Sequence, residues 1–269
     1  MSVDARRTAQ SYWDTAAKTY DCDFTGTLIG QLRRRAVWRE LDRTFQAGQR
    51  VLELNCGTGI DAVRLAGRGV RVLACDISLG MIDMARERAN ACGVAGALQF
   101  RVLPTEEIAR LGPEGPFEGA FSNFAGLNCV DDLGATAEAL FGLLKPGATV
   151  LLCMLGRFVP WEMAWYVAQA QPGRAFLRWS NGTARQVEGG TLRVRYHGVG
   201  EIARLFAPRF RLRRWRGIGI MVPPTYAEVW ARRVPRLTRA VARVDDWIGG
   251  IPVVRRMADL VLLELERRW

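Results

Sequence analysis

A chain of 269 residues that is 49% hydrophobic can bury a substantial core, which excludes a disordered tail protein, and 24% charged residues are too few for a coiled coil. Its 38 basic residues oppose 27 acidic ones for a net charge of +11, and all but Lys18 and Lys145 of the basic residues are arginines. From Arg204 to Trp269, 15 arginines face six acids, so the preceding 203 residues are close to neutral. That asymmetry argues against a protein coated throughout by nucleic acid and makes the charge a local, C-terminal property.

Residues 1–45 read as helical, with turns near Gly26 and Gly30. A rhythm starts at residue 50. Arg50–Leu54 is a short apolar strand entering the glycine-rich turn Asn55–Gly59, and Ile60–Ala66 follows as a helix. Val70–Cys75 is a second strand ending in Asp76, and Ser78 is placed to cap the helix that runs to Asn90. Ala97–Leu103 and Phe117–Ser122 are the third and fourth strands, Ala135–Leu144 a helix stopped by Lys145-Pro146-Gly147, and Ala148–Leu155 the fifth strand. Alternating strands and helices with short connections predict a doubly wound, Rossmann-like, mostly parallel α/β sheet with helices on both faces. Beyond residue 155 the rhythm breaks into an aromatic stretch (Phe158, Trp161, Trp165, Tyr166, Phe176, Trp179). A strand-like Thr191–Tyr196 and a helix Gly200–Phe206 come next. Phe210–Val222 and Asp259–Glu266 complete seven strands, with a helical stretch, Tyr226–Met257, between them.

The chemistry concentrates in Val51-Leu-Glu-Leu-Asn-Cys-Gly-Thr-Gly59 and Asp76. Glycines at 57 and 59 let a ligand approach the backbone after the first strand. An acid ending the second strand is placed to accept from both hydroxyls of a ribose. An adenosine-type ligand is therefore expected. A dinucleotide site calls for a third glycine where Ile60 stands. Glu53 beside the turn would also repel a pyrophosphate while suiting the ammonium of a methionyl group. The choice falls on S-adenosylmethionine (SAM).

These motifs resemble the class I SAM-dependent methyltransferases, most closely the small-molecule type similar to ubiquinone- and menaquinone-biosynthesis enzymes. The resemblance covers roughly residues 10–155 and includes Asp76-Ile77-Ser78 with Met81, Phe117–Phe124, Leu144-Lys-Pro-Gly147 and Tyr20-Asp21. It implies that Gly57, Thr58 and Gly59 line the methionyl and ribose portion together with Glu53 and Asn55. Asp76 would hold the ribose, Ile77 and Met81 would lie by the adenine, and Tyr20 would close over the methionyl end. Asn123 and Phe124 would sit near the transferring methyl. Two positions depart from the pattern. Asn55 replaces the first glycine of the turn, a substitution that a positive φ tolerates. Pro104 stands where an adenine-binding Asp is usual, which shifts that contact to Thr105 or Glu106.

The resemblance also suggests a single methyltransferase domain over 1–269: a helical cap at 1–45, a SAM-binding core at 46–155, and insertions at 156–200 and 223–258 that act as a lid over the acceptor. No conspicuous base accompanies the motifs. His197, the only histidine, is the one general-base candidate, and its place between a strand and a helix reads more readily as an ordinary loop histidine. Cys56 reads as a small buried side chain. The six cysteines form no metal-type or disulfide-type spacing, and no metal is expected. Met1–Tyr20 lacks the apolar segment of a secretory signal, so the expected location is the cytoplasm. In the C-terminal stretch Trp230, Val234, Leu237, Val241, Val244, Ile248 and Ile251 form an apolar helical stripe beside Arg232, Arg233, Arg236, Arg239 and Arg243. That is either a helix packed on its own domain or a lid or membrane-surface helix across 226–257. The expected activity is methyl transfer from SAM to a small, apolar or aromatic acceptor. The alternatives are an RNA methyltransferase using the arginine-rich region and a non-catalytic SAM-binding protein. The acceptor atom and the oligomeric state are not encoded in any motif.

Overall fold

The protein, seen in a computed structural model that describes residues 3–180, 182–187 and 190–269, begins with two helices, α1 (Val3–Tyr20) and α2 (Leu28–Thr44), joined by a π-helical turn at Asp21–Thr25. Gly30, expected in a turn, lies in the first turn of α2. A Cβ there would fall 1.9 Å from the Phe24 carbonyl oxygen, so this glycine permits a close approach rather than a change of direction.

The repeating part follows as β1 (Arg50–Leu54), α3 (Ile60–Ala66), β2 (Arg71–Asp76), α4 (Leu79–Ala91), β3 (Leu98–Val102), β4 (Phe117–Ser122), α5 (Leu133–Leu143) and β5 (Leu144–Leu155). Next come α6 (Pro160–Ala168), α7 (Pro172–Ala175), the hairpin β6 (Thr183–Val187) and β7 (Gly190–Val194), α8 (Val199–Phe206) and β8 (Phe210–Ile218). The chain closes with α9 (Glu228–Arg233), α10 (Pro235–Ile248) and β9 (Leu260–Arg267). One sheet of seven strands has the order β3-β2-β1-β4-β5-β9-β8, with β1 to β5 parallel and β9 antiparallel to both its neighbours. The strand expected at Thr191–Tyr196 exists but pairs only within the hairpin, outside the main sheet.

Two hydrophobic layers sandwich the sheet. Leu52 and Leu54 of β1 pack on the side of α5 and α8, while Val51 faces α2, α3 and α4. Because side chains alternate along a strand, Glu53 shares the side of Val51, beneath α2 and α3. A third, small cluster joins Ile29 of α2 to Val222, Ala227, Ala231 and Ala242. The segment containing α9 and α10 is therefore seated on α2. Glu228 strengthens this seat by accepting from the first backbone amides of α2, Leu28 N at 2.6 Å and Ile29 N at 3.0 Å.

Ser78 caps α4 by accepting from Met81 N at 3.0 Å. Its own hydroxyl donates to Asp14 of α1 at 2.5 Å, and Asp14 also accepts from Gly80 N. Asp21 accepts from the Thr58 hydroxyl at 2.8 Å and pairs with Arg88. Through these contacts the N-terminal helices lie over the carboxyl ends of the central strands, the crevice where open α/β sheets bind ligands.

Candidate cofactor and acceptor site

A cavity of about 290 Å³ opens at that crevice, at the small end of the range of roughly 300–1,000 Å³ usual for small-molecule sites. Its floor is the turn after β1. Asn55, Gly57 and Gly59 have φ of 54°, 53° and 70°, so Asn55 does adopt the left-handed conformation that its glycine-replacing position demands. Around a Cβ at Gly57 there is open space, as close ligand approach requires. Gly59 does different work. A Cβ there would lie 2.6 Å from the Ala85 methyl, so Gly59 lets α3 pack against α4 and takes the structural part of the third glycine that Ile60 replaces.

Asp76, at the end of β2, is buried and accepts from Gly57 N at 2.9 Å and Ser78 N at 3.0 Å. These bonds fix its carboxylate at the cavity wall, and each oxygen keeps a lone pair for a further donor. Asn55 ties three elements together: its amide donates to Thr105 Oγ1 at 3.1 Å and accepts from Ser122 Oγ at 3.2 Å. After β4 the chain makes two successive left-handed residues, Phe124 at φ 52° and Ala125 at φ 70°. Non-glycine residues hold such conformations where the surroundings enforce them, typically at binding sites. Here the Phe124 ring lies edge-on to Phe24, at 5.0 Å between centroids, and under the Arg34 guanidinium at 4.3 Å.

Behind the wall lies a buried polar cluster that no sequence motif announces. Asp61 accepts from Arg34 Nη1 at 2.7 Å, Trp38 Nε1 at 2.7 Å and Asn123 Nδ2 at 2.9 Å. Glu53, Asp61 and Asp76 thus share one buried region with a single guanidinium, Arg34. Burial, with repulsion from Asp61, holds the Glu53 carboxyl well above its usual range, and burial raises Asp76 as well. Tyr20, at the cavity wall, is pushed up to about 12 by burial. A site with this excess of negative charge suits a cationic ligand.

Of the residues singled out from the sequence, Tyr20, Asn55, Gly57, Asp76, Ile77, Met81, Thr105, Asn123 and Phe124 line this one cavity. Glu53, Thr58 and Gly59 stand behind it, Thr58 being engaged with Asp21. His197 lies elsewhere, half-buried at the start of α8, where its Nδ1 is 3.0 Å from Glu201 Oε1. No residue of the 158–179 aromatic stretch and none of 223–258 is among the lining residues. Instead, Trp165 stacks on Tyr226 at 5.0 Å, while Phe158 and Phe176 lie against the half-exposed Trp179. Sequence reasoning missed Ala9, Tyr12 and Trp13 of α1 and Leu192 and Val194 of β7, which complete the wall. The alternation of Leu192 and Val194 was visible, but nothing local tells a hairpin which neighbour it will cover.

Among the described residues, the buried carboxylate and amide oxygens without a partner are Glu53 Oε2, Asn123 Oδ1 and Glu106 Oε1. Glu106 and Asn123 line the cavity, and an unpaired buried acceptor is costly unless a ligand supplies the donor. SAM fits this set, having a ribose diol for Asp76 and an ammonium and an adenine amine as donors. Sheet order, glycine turn, carboxylate and orphaned acceptors together define a class I SAM-binding fold.

Residues 51–147 match the family described as "Methyltransferase domain". Over 144 residues the chain is 33% identical to the tRNA 5-carboxymethoxyuridine methyltransferase of Escherichia coli (strain K12), covering 52% of this chain and 54% of that protein. It is 31% identical over 150 residues to the demethylmenaquinone methyltransferase of Mycobacterium marinum (strain ATCC BAA-535 / M), covering 55% and 59%. The chain spans about half the length of the curated relatives it matches. A solved DhpI–SAH complex shares the fold, with a TM-score of 0.61 at 17% identity over 100% of this chain and 99% of that one. Residues 51–147 thus carry a methyltransferase domain, the chain has the Rossmann-like fold of solved SAM-dependent methyltransferases, and SAM is the cofactor of that domain.

Proposed function

We propose that this protein transfers the methyl group of SAM to a small, apolar or aromatic acceptor held beside Phe124. The observation that carries this reading is the lining of the cavity beyond Asn123: Ala125, Cys129, Val130, Leu155, Leu192 and Val194, with no arginine or lysine on the wall among the described residues. A polyanionic acceptor would be expected to meet some of the 36 arginines there.

When bound, SAM supplies an electrophilic methyl group on a sulfonium. Asp76 accepts from the ribose hydroxyls, Ile77 and Met81 flank the adenine, and Glu106, with Thr105, takes the adenine amine in place of the acid that Pro104 displaces. Asn123 Oδ1 receives the ammonium, with Asp61 orienting the Asn123 amide and Glu53 adding a carboxyl group behind the wall. Phe124 and the walls from α1 and β7 exclude water and align the acceptor, which accounts for much of the rate in a reaction whose donor is already activated. Burial holds the Cys129 thiol up at about 11, so it remains protonated and serves as an apolar wall. His197, paired with Glu201 outside the wall, takes no part.

The test is calorimetry with SAM on the wild type and on Asp76→Ala, followed by incubation with radiolabelled SAM and extract of the native host. Loss of two charge-assisted hydrogen bonds should weaken SAM binding by about 100-fold or more. Label should appear in an organic-soluble small molecule. Unaltered binding by Asp76→Ala, or label only in RNA, defeats the proposal. RNA methylation is the second reading, supported by the similarity to a tRNA methyltransferase and by the arginine-rich C-terminal region.

A further inference from the structure

We propose that the protein docks on an anionic lipid bilayer through the outward side of α10 and an arginine-lined groove between α10 and α2. Most of the apolar stripe in this stretch, readable as a core face, is turned to solvent instead, with Val241 packed on the small cluster at α2 and Ile248 half-buried. α10 buries Thr238, Ala242 and Asp245, spaced four and three residues apart. Asp245 fixes the rotation of the helix by accepting from Gly219 N at 2.8 Å and from Met221 N. At 100° per residue, that anchor turns Arg239 and Arg243 toward one flank and leaves Arg236 close to the outermost line of the helix. Leu237 and Val244 then fall on the opposite flank and Trp247 points straight outward, and they are 61%, 46% and 78% exposed. Trp230 and Val234, in and just after α9, extend the apolar surface and are also exposed.

The arginine flank does not simply face water. With Arg35, Arg39 and Arg64, the residues Arg239 and Arg243 line a groove of about 480 Å³ in which Asp246 is the only acid. Asp246 is engaged by Arg39, and Arg64 pairs with Asp42. Arg35, Arg239 and Arg243 have no acidic partner among the described residues. A planar guanidinium matches a phosphate with two parallel hydrogen bonds, so three uncompensated ones around a groove make a receptor for phosphate groups.

Two anionic macromolecular surfaces could supply phosphates: a membrane and an RNA. The apolar side chains decide between them. Aliphatic Val234, Leu237 and Val244 offer nothing to a nucleic-acid backbone and do not stack on bases as aromatic residues do. A bilayer interface accepts both parts at once, with aliphatic chains and tryptophans in the acyl boundary and arginines at the headgroups. The occupant that fits is a bilayer bearing anionic phospholipid, which would hold the protein where apolar molecules partition.

The experiment is co-sedimentation of the full chain with vesicles of phosphatidylcholine alone and of phosphatidylcholine with a quarter phosphatidylglycerol, at 0.15 M salt. Binding to the anionic vesicles should be at least about tenfold tighter, since each arginine near an anionic surface contributes roughly fivefold. Arg239→Glu with Arg243→Glu should abolish that preference. Leu237→Asp with Val244→Asp should release the protein from both vesicles. All four residues are exposed and remote from the cavity, so unfolding temperature and SAM affinity serve as controls that the variants fold. Absence of binding to anionic vesicles, equal binding to both, or binding that survives Leu237→Asp with Val244→Asp overturns the proposal. So does tight binding to total tRNA, in a parallel mobility-shift assay, that is lost only in the arginine variant while vesicles are ignored. A protein that binds SAM normally yet ignores vesicles fails here without touching the proposed methyl transfer.

Discussion

The part of the molecule from α2 to β5 and the last quarter, from α8 onward, handle charge in opposite ways. Around the cavity, Glu53, Asp61, Asp76 and Arg34 are all buried, and the acids outnumber the cation. On β8 and β9 the arginines lie on the surface in ladders: Arg213 with Glu266 at 2.6 Å, Arg214 with Glu264 at 2.6 Å, and Arg214 and Arg216 both with Glu40 at 2.8 Å. Arg209 pairs with Glu138. The difference teaches that net charge says little about available charge. Part of the C-terminal charge is matched, by Glu264 and Glu266 on β9 and by Glu40 and Glu138 from distant parts of the chain, while Arg236, Arg239 and Arg243 of α10 have no acidic partner among the described residues.

The sharpest way to break this contrast is Asp61→Ala. It strands the buried Arg34 guanidinium and the Trp38 and Asn123 donors, and should cost about 3–5 kcal/mol in urea unfolding. A loss below about 1 kcal/mol would show that the cluster is hydrated and the contrast overstated. Next comes Gly59→Ala, which places a methyl against Ala85 at a positive φ. A destabilisation of about 1–3 kcal/mol is expected from thermal unfolding, with SAM affinity falling less than in Asp76→Ala.

A pH titration sharpens the role of Glu53. Its folded carboxyl sits well above the ordinary 4.5, so burial favours the protonated form. The associated stability is fully present below the unfolded value and is lost as pH rises through the raised one. Without ligand, wild-type melting temperature should therefore decline across that window, whereas Glu53→Gln should decline less, keeping only the share of Asp76 and other raised carboxyls. SAM, by placing a cation beside the carboxylate, should bind more tightly as pH rises and release protons, as detected by calorimetry in buffers of different ionisation enthalpy. A flat wild-type profile would separate Glu53 from the ammonium. The smallest effect belongs to the surface pairs: Arg209→Ala should shift unfolding by less than about 1 kcal/mol, and less still at high salt.

How much was legible follows from how local each feature is. β1, α3 and β4 have the bounds that apolar runs, glycines and caps announce, and Ser78 caps α4 as its position beside Leu79 suggests. Nine of the twelve cofactor residues read from motifs share one cavity wall, because a turn and two strand ends in a parallel sheet need only neighbouring segments to meet. The partners of Asp61 were not legible: Arg34, Trp38 and Asn123 lie 27, 23 and 62 residues away. Leu192 and Val194 escaped for the same reason. The aromatic stretch 158–179 looked like an acceptor wall, yet its rings stack with one another and with Tyr226.

The sequence alone determined the doubly wound sheet, the glycine turn and the acid that ends β2, since hydrophobic period and backbone sterics act over a few residues. It also determined that the positive charge is C-terminal. Tertiary structure decided which way α10 faces. A helix carrying both an apolar stripe and arginines can bury either side of itself, and composition does not choose. Asp245 chose, because a buried carboxylate satisfied by the amides of Gly219 and Met221 leaves the apolar side facing outward.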